Sequence, residues 1–449
     1  MRLRPSPPPA RLPVTLALVA LVAAGAAWAA PRPPALDARL VTLENGLRVV
    51  LLEDHSTPIV HAQLWYHVGS KDERPGRTGF AHLFEHLMFK GSKNVRPEQH
   101  ASFITSVGGE SNAYTTEDVT VFWATVPAQH LPLVLWLEAD RMASLTIDEA
   151  AFRRERDVVK EERRMRVENQ PYGRLSELIA GHAFTVHPYR HATIGSMTDL
   201  EAASVDDVRE FYRTYYVPGN ATLALVGDFD TEEAIQLVRR HLGAVPASSR
   251  PIPRKLPMEP PQAEERRVTV RESWPLPVVV VAQHIVADGH PDSYPLHLAG
   301  KILSDGQSSR IHQRLVYETG YALSAFGTAN LAEDPNLFYA VAVVQPGKDV
   351  DETERALLGE LARLADEAVS DAELERAKRQ VARDYIVGRA SNQEKATHLA
   401  HAVVIHGDVA SADGEFDLLM KTTAADVRRV ARTYFTPASR LVLRVLPPS

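Results

Sequence analysis

The order of apolar and polar positions divides this chain into short strand-like runs and longer helical ones. Leu47-Arg48-Val49-Val50-Leu51-Leu52 and Val60 to Val68 are compact apolar runs, and Glu117 to Val126 is rich in Val, Thr, Phe and Trp. All three predict strands. Helical patterns fall between them. One surrounds His82, and another runs without proline or glycine from Ile147 to Gln170, stopping at Pro171. Thr146 followed by Glu149 is a capping-box signal for that second helix. Strands and helices mixed in this way, with hairpin-like pairings, predict an α+β fold with helices packed on one sheet.

The pattern occurs twice. Ser204-Val205-Asp206-Asp207-Val208-Arg209 leads to Tyr215-Tyr216-Val217-Pro218, and Thr423-Ala424-Ala425-Asp426-Val427-Arg428 leads to Tyr434-Phe435-Thr436-Pro437, at a constant offset of 219 residues. Each copy starts with a hydroxyl residue followed three positions on by Asp, which is an N-cap arrangement. Each ends before a proline that precedes a β-rich run, Ala221 to Val226 in one copy and Leu441 to Leu446 in the other. This predicts two homologous halves, 38–245 and 266–449. The stretch 246–265 between them holds six prolines and reads as a stiff, extended linker.

Composition narrows the function. The 449 residues carry a net charge of −7, which gives no argument for nucleic acid or an anionic membrane surface as partner. There is no cysteine, so thiol catalysis, cysteine metal ligands and disulfides are all excluded. Arg2, Arg4 and Arg11 precede an apolar run from Val14 to Ala27, and Ala27-Trp28-Ala29 offers a small-x-small cleavage pattern. Residues 1–29 therefore read as a signal peptide cleaved after Ala29 rather than a retained anchor. The mature chain is expected in the periplasm or outside the cell, with no stable membrane insertion.

The chemistry concentrates in His82-Leu83-Phe84-Glu85-His86. This H-x-x-E-H pattern sets two imidazoles on one face of a helix, one turn apart, with a carboxylate beside them. Two neutral imidazoles can share one Zn²⁺, but a catalytic site usually takes three protein ligands and leaves one position open. The helix after Thr146 offers the third. Glu155 and Glu162 are seven residues apart and share a face, with Val158 and Val159 between them on the side expected to meet the core. A carboxylate on that side needs a compensating charge, which a metal supplies. Glu161 has poorer helical phase, and most of the charged run Arg153 to Arg166 reads as a solvated face. His55, His61 and His67 read as ordinary surface or core histidines.

In these features the chain resembles the pitrilysin and insulinase family of zinc peptidases, whose smaller members include the catalytic subunit of the mitochondrial processing peptidase. The family's ligand glutamate lies in a run resembling E-R-x-x-V-x-x-E. This chain has Glu155-Arg156-Asp157-Val158-Val159-Lys160-Glu161-Glu162, so the resemblance implies Glu162 as ligand, 76 residues after His86, and Glu155 as its outer support. Gly108-Gly109-Glu110-Ser111-Asn112-Ala113 resembles the family's substrate-binding sheet edge, implying that Asn112 and Ala113 contact peptide. His187-Pro188-Tyr189 and Tyr216-x-Pro218-x-Asn220 match as well. The implied form is two halves, each a helix-on-antiparallel-sheet sandwich, enclosing a cavity, with one zinc on the first half and Glu85 as general base. Neutral imidazoles are required, so activity should fall below about pH 6.

Two departures matter. Aligning Gly91 with Gly306 sets Gly300 opposite Glu85 and Lys301 opposite His86, leaving only His297 opposite His82, so the second half should not bind zinc. Family members also carry a second-half pattern resembling L-R-x-x-x-G-L-A-Y, whose arginine and tyrosine meet the substrate. Here those places hold Val316 and Leu323, and Arg314 and Tyr321 stand two positions out of register. The resemblance then implies a partner: a homologous zinc-free subunit supplying the pair in a heterodimer, or a second copy in a homodimer. The alternative function is a non-catalytic peptide-binding or assembly subunit on the same fold.

Overall fold

The computed structural model describes residues 32–248 and 250–448, and the signal peptide assigned to residues 1–29 lies outside them. Strands β1 (Arg39–Thr42), β2 (Arg48–Glu53), β3 (Ile59–Tyr66), β4 (Glu110–Thr115), β5 (Thr120–Pro127) and β6 (Ala221–Gly227) form one sheet in the order β1-β2-β6-β3-β5-β4. Strands β7 (Arg266–Arg271), β8 (Val278–His284), β9 (Ala322–Ala329), β10 (Leu337–Val344) and β11 (Arg440–Leu446) form a second in the order β7-β11-β8-β10-β9. Without β1, the two orders correspond strand for strand. Each sheet is antiparallel except for one parallel pair, β2 with β6 and β7 with β11. A parallel neighbour needs a long crossover, and in each half helices lie along the chain between the two strands so paired.

The helices that position the site and join the halves are α1 (Phe80–Leu87), α2 (Glu149–Arg163), α3 (Leu175–Ala183), α4 (Val205–Tyr215), α5 (Ser293–Ser304), α6 (Asn392–Val404) and α7 (Ala424–Tyr434). The repeat is α4 with β6 and α7 with β11. Ser204 and Asp207 form a capping box on α4, and Thr423 and Asp426 form the same box on α7. Each box pairs two backbone N–H groups that the helix cannot pair itself, which fixes where both helices begin.

The predicted helix from Thr146 forms with different limits. Its N-cap is Asp148, whose carboxylate accepts the Ala151 N–H at 2.8 Å, because Asp148 rather than Thr146 sits where the chain enters the helix. Regular α2 ends at Arg163 and continues as a π-helical turn over Arg164–Glu168, short of the predicted Gln170. Of the two valines expected in the core, Val159 is fully buried while Val158 is 47% exposed. Consecutive helical residues differ by about 100° in direction, so both cannot face inward.

Strands in the middle of each sheet are apolar on both sides. All seven residues of β6 are buried, as are Val278 to Ala282 of β8. Such runs require cover on two faces. Each half covers one face with its own helices, and the other half supplies the second cover. Leu399, Ala400 and Val403 of α6 pack on Val50, Trp65, Val121, Ala224 and Val226 of the first sheet. In exchange, Ile179 and Ala183 of α3, with Phe184 and Tyr189, pack on Val278, Val280, Val341 and Leu443 of the second. The stretch 246–265 between the halves carries no helix or strand in its described residues. It is held by Glu259, which accepts N–H groups from Thr185, Val186 and His187 at 2.8–3.0 Å. Among the described residues no helix is long and apolar enough to cross a membrane.

Because α6 seals the first sheet from outside its own half, Leu399→Ala should cost about 2–5 kcal/mol. Chemical denaturation should show a lower midpoint for both halves together. Loss of the second half's signal alone would contradict the exchange.

Candidate metal centre

The motif helix is fixed from three sides. Its N-terminus rests on Glu73, a fully buried carboxyl that accepts the Gly79 N–H at 2.8 Å and the Ala81 N–H at 2.7 Å. Burial pushes this carboxyl well above its usual range, against the pull of those N–H groups. Gly79 itself has φ +91°, and a Cβ there would lie 2.7 Å from the Ile194 carbonyl oxygen. Only glycine lets the chain turn so close to that loop. On the inner face, Phe84 packs at 4.0 Å between ring centroids on Tyr216 and at 5.5 Å on Tyr212 of α4. The repeat segment that marks the architecture therefore also supports the motif helix.

On the opposite face His82 and His86 stand one turn apart, with ring centroids 4.9 Å from each other. Helix α2 packs against α1 and brings Glu162 to both: its Oε2 lies 3.7 Å from His82 Nε2 and 3.3 Å from His86 Nε2. These three donor atoms all fall within 4.8 Å of one another. Arg166, one turn further along the chain, pairs with the other oxygen, Oε1, so a single carboxylate oxygen faces the imidazoles.

The donor set fits a zinc ion. A tetrahedral ion with bonds of about 2.0–2.1 Å separates its ligand atoms by ~3.3 Å, close to the spacing found here. Burial, helped by His86, holds His82 down at about 4, so the ring is a neutral donor at ordinary pH. His86 turns its second nitrogen, Nδ1, toward Glu155 Oε2 at 3.7 Å. Burial raises the Glu155 carboxyl, but His86 and Lys90 together bring it below its usual range, and Lys90 Nζ lies 3.3 Å away. An ionised partner on the outer nitrogen orients the ring and strengthens it as a donor. Glu85 points to the same space. Burial raises its carboxyl, and the Thr115 hydroxyl donates to its Oε2 at 2.6 Å.

The sequence-predicted residues separate into two groups. His82, Glu85, His86, Glu155 and Glu162 come together. Asn112 and Ala113 lie on β4, an edge strand paired only with β5, and Asn112 Oδ1 accepts the Ala113 N–H at 2.9 Å rather than reaching the centre. Thr115 at the end of β4 links that edge to Glu85. Thr115, Lys90 and Glu73 were not predicted, since each acts through a fold contact that leaves no local pattern; Arg166 was not predicted either, although its place four residues after Glu162 is a legible helical spacing. In the second half Lys301, opposite His86, is tied to Asp305 at 2.8 Å and Asp384 at 2.7 Å. Val316 packs on the second core, Leu323 is exposed, Arg314 pairs with Glu318 and Tyr321 lies under Lys348. His55, His61 and His67 bond to Asp228, Thr125 and Glu333 respectively.

Known proteins resemble this chain in sequence and in fold. Residues 48–196 match the family model described as Insulinase (Peptidase family M16), and residues 202–381 match Peptidase M16 inactive domain. The chain is 30% identical to zinc protease PqqE of Helicobacter pylori over 398 residues, covering 88% of this chain and 89% of that protein. It is 25% identical to a probable mitochondrial-processing peptidase subunit beta of Arabidopsis thaliana, covering 89% of this chain and 76% of that one. A crystal structure of a protease from Helicobacter pylori aligns with a TM-score of 0.88 at 29% identity, over 92% of this chain and all of that one.

Glu73→Ala should leave two buried N–H groups at the start of α1 without acceptors, at about 1–3 kcal/mol each. Denaturation should show the full loss for Ala and a smaller one for Glu73→Gln, which keeps an acceptor. Equal losses would mean that keeping an acceptor at this position has no effect, against the role given to Glu73.

Proposed function

Since the chain belongs to the insulinase (M16) family of peptidases, we propose that it is an exported zinc endopeptidase whose ion is held by His82, His86 and Glu162. The observation that supports this best is the convergence of three donor atoms within 4.8 Å of one another, beside a glutamate whose carboxyl is raised by burial. Zinc bound there supplies Lewis acidity, acidifying water and polarising a peptide carbonyl. Glu85 accepts the proton from the attacking water and returns it to the leaving amine. Its burial brings the carboxyl closer to neutral pH, which suits a group that must both take and give a proton. Thr115 holds it in place. Arg166 restrains Glu162 so that one oxygen serves the ion, and Glu155 orients His86.

The substrate is an extended peptide. The free edge of β4 takes it as an added strand alongside Asn112 and Ala113, with the scissile bond carried toward Glu85 through the Thr115 end. Edge pairing requires an unfolded segment, so oligopeptides and unfolded regions are the substrate class. Export places the mature chain in the periplasm or outside the cell. With Val316 and Leu323 at the positions of the family's arginine and tyrosine, a homologous zinc-free subunit completes the substrate site. A second reading, a non-catalytic binding subunit, draws support from the match of the second half to an inactive-domain model.

Elemental analysis and cleavage of a mixed peptide library, by the mature chain alone and with a homologous zinc-free subunit, separate these readings. One zinc with cleavage is expected. Zinc without cleavage under both conditions would favour the binding subunit, and cleavage by the single chain would remove the need for a partner. Glu85→Gln should retain zinc and lose cleavage by on the order of 10²–10⁴-fold, whereas His86→Ala should lose both. Full zinc occupancy in His86→Ala would overturn the ligand set.

Thr115→Val tests the base. The hydroxyl's hydrogen bond favours the charged carboxylate, so its loss raises the Glu85 pKa and protonates the base at higher pH. The acid limb of kcat/KM should move to higher pH. An unmoved limb would assign it to another group.

A further inference from the structure

A second group of metal-binding side chains lies away from the centre described above. Asp288 sits in the loop between β8 and α5, His401 near the end of α6, and His406 just beyond it. Asp288 Oδ2 is 3.3 Å from His401 Nε2 and 3.3 Å from His406 Nε2, and the two rings lie 5.1 Å apart at 81°. These three donor atoms also fall within 4.8 Å of one another.

The arrangement repeats the first centre feature by feature. There, Glu162 gives one oxygen to Arg166 and turns the other to two imidazoles. Here, Asp288 Oδ1 accepts the Gly289 N–H at 2.8 Å, leaving Oδ2 for two imidazoles. There, the outer nitrogen of His86 faces Glu155. Here, the outer nitrogen of His406 lies 3.4 Å from Glu415 Oε1 and 3.1 Å from Ser411 Oγ. Glu415 is in turn held by the Tyr385 hydroxyl at 3.2 Å. The His406 side chain is only 9% exposed, and its Nε2, aimed into the cluster, meets the Asp288 carboxylate at 3.3 Å without regular hydrogen-bond geometry.

We propose that Asp288, His401 and His406 form a second metal site that takes Zn²⁺ or a similar first-row divalent ion. Two imidazoles and one carboxylate select such ions over Mg²⁺ and Ca²⁺, which take oxygen donors. The 3.3 Å separations match the ~3.3 Å edge of a tetrahedron with bonds of about 2.0–2.1 Å. His401, the most exposed of the three, leaves the fourth position on the solvent side. Position gives the site its role. It joins a loop of the second half to α6, the helix that seals the far face of the first sheet, so the ion fastens the exchange between halves.

The test uses the mature chain carrying His82→Ala and His86→Ala, so that the first centre contributes no signal whatever its function. Co²⁺ titration followed by visible absorption should give one equivalent bound, and Zn²⁺ should displace it and raise the unfolding midpoint. Adding His406→Ala should abolish the absorption. Adding Glu415→Gln, which removes only the outer charge, should weaken binding by about 10–100-fold. Circular dichroism confirms that each variant is folded. No Co²⁺ bound by the His82→Ala, His86→Ala chain would overturn the proposal and leave Asp288 as the ion-pair partner of two histidines. Binding undiminished by both His406→Ala and Glu415→Gln would overturn it equally, by placing the ion elsewhere.

Discussion

The molecule depends on the need to cover two apolar faces of each sheet. Strands such as β6 and β8 are apolar on both sides, and leaving a whole face in water would forfeit about 25 cal/mol for each Å² of apolar surface exposed. Neither half carries enough helix to cover both faces of its own sheet. Helix α6 therefore belongs to the second half by sequence and to the first by packing, and α3 makes the opposite exchange. The halves are consequently one folding problem. A buried polar contact adds direction to the apolar one. Lys71, nearly inaccessible, reaches Asp118 of its own half at 2.8 Å and Glu333 and Asp334 of the other at 2.7 and 2.9 Å. A buried cation is tolerated only when so paired, and the pairing fixes one register between the halves.

That frame gives the metal centre its precision. Two histidines on one helix need only local geometry, but the third donor has to arrive from α2 at the correct height and with one oxygen forward. Glu73 below α1, Phe84 against the tyrosines of α4, and Arg166 against Glu162 each remove one freedom. Donors held in advance lose less conformational entropy when an ion or substrate binds. The same logic explains the second half. Its equivalent helix, α5, keeps the packing without the donor set, since Lys301, opposite His86, pairs with Asp305 and Asp384.

Much of this was legible in the chain because it depends on short-range periodicity. Alternation and β-branched runs marked the strands, the 219-residue offset marked the two halves, and the paired capping boxes formed as written. The H-x-x-E-H spacing and the phase of Glu155 with Glu162 required nothing beyond helix geometry. Local signals also misled where two were adjacent. Thr146 carried the cap signal, and Asp148, two residues on, forms the cap. Val158 and Val159 both looked buried, and only the second met the core.

What sequence alone determined, then, is which residues share a face and which segments repeat, because these follow from fixed rises and turns per residue. Only the tertiary structure decided that Glu73 holds the start of α1, that Thr115 on a sheet edge holds Glu85, and that each half covers the other's sheet. It alone also brought Asp288 to His401 and His406, over a hundred residues away. Contacts of that kind are set by burying two sheets at once, and the energy of that burial is spread over many apolar side chains. No single position carries its signature.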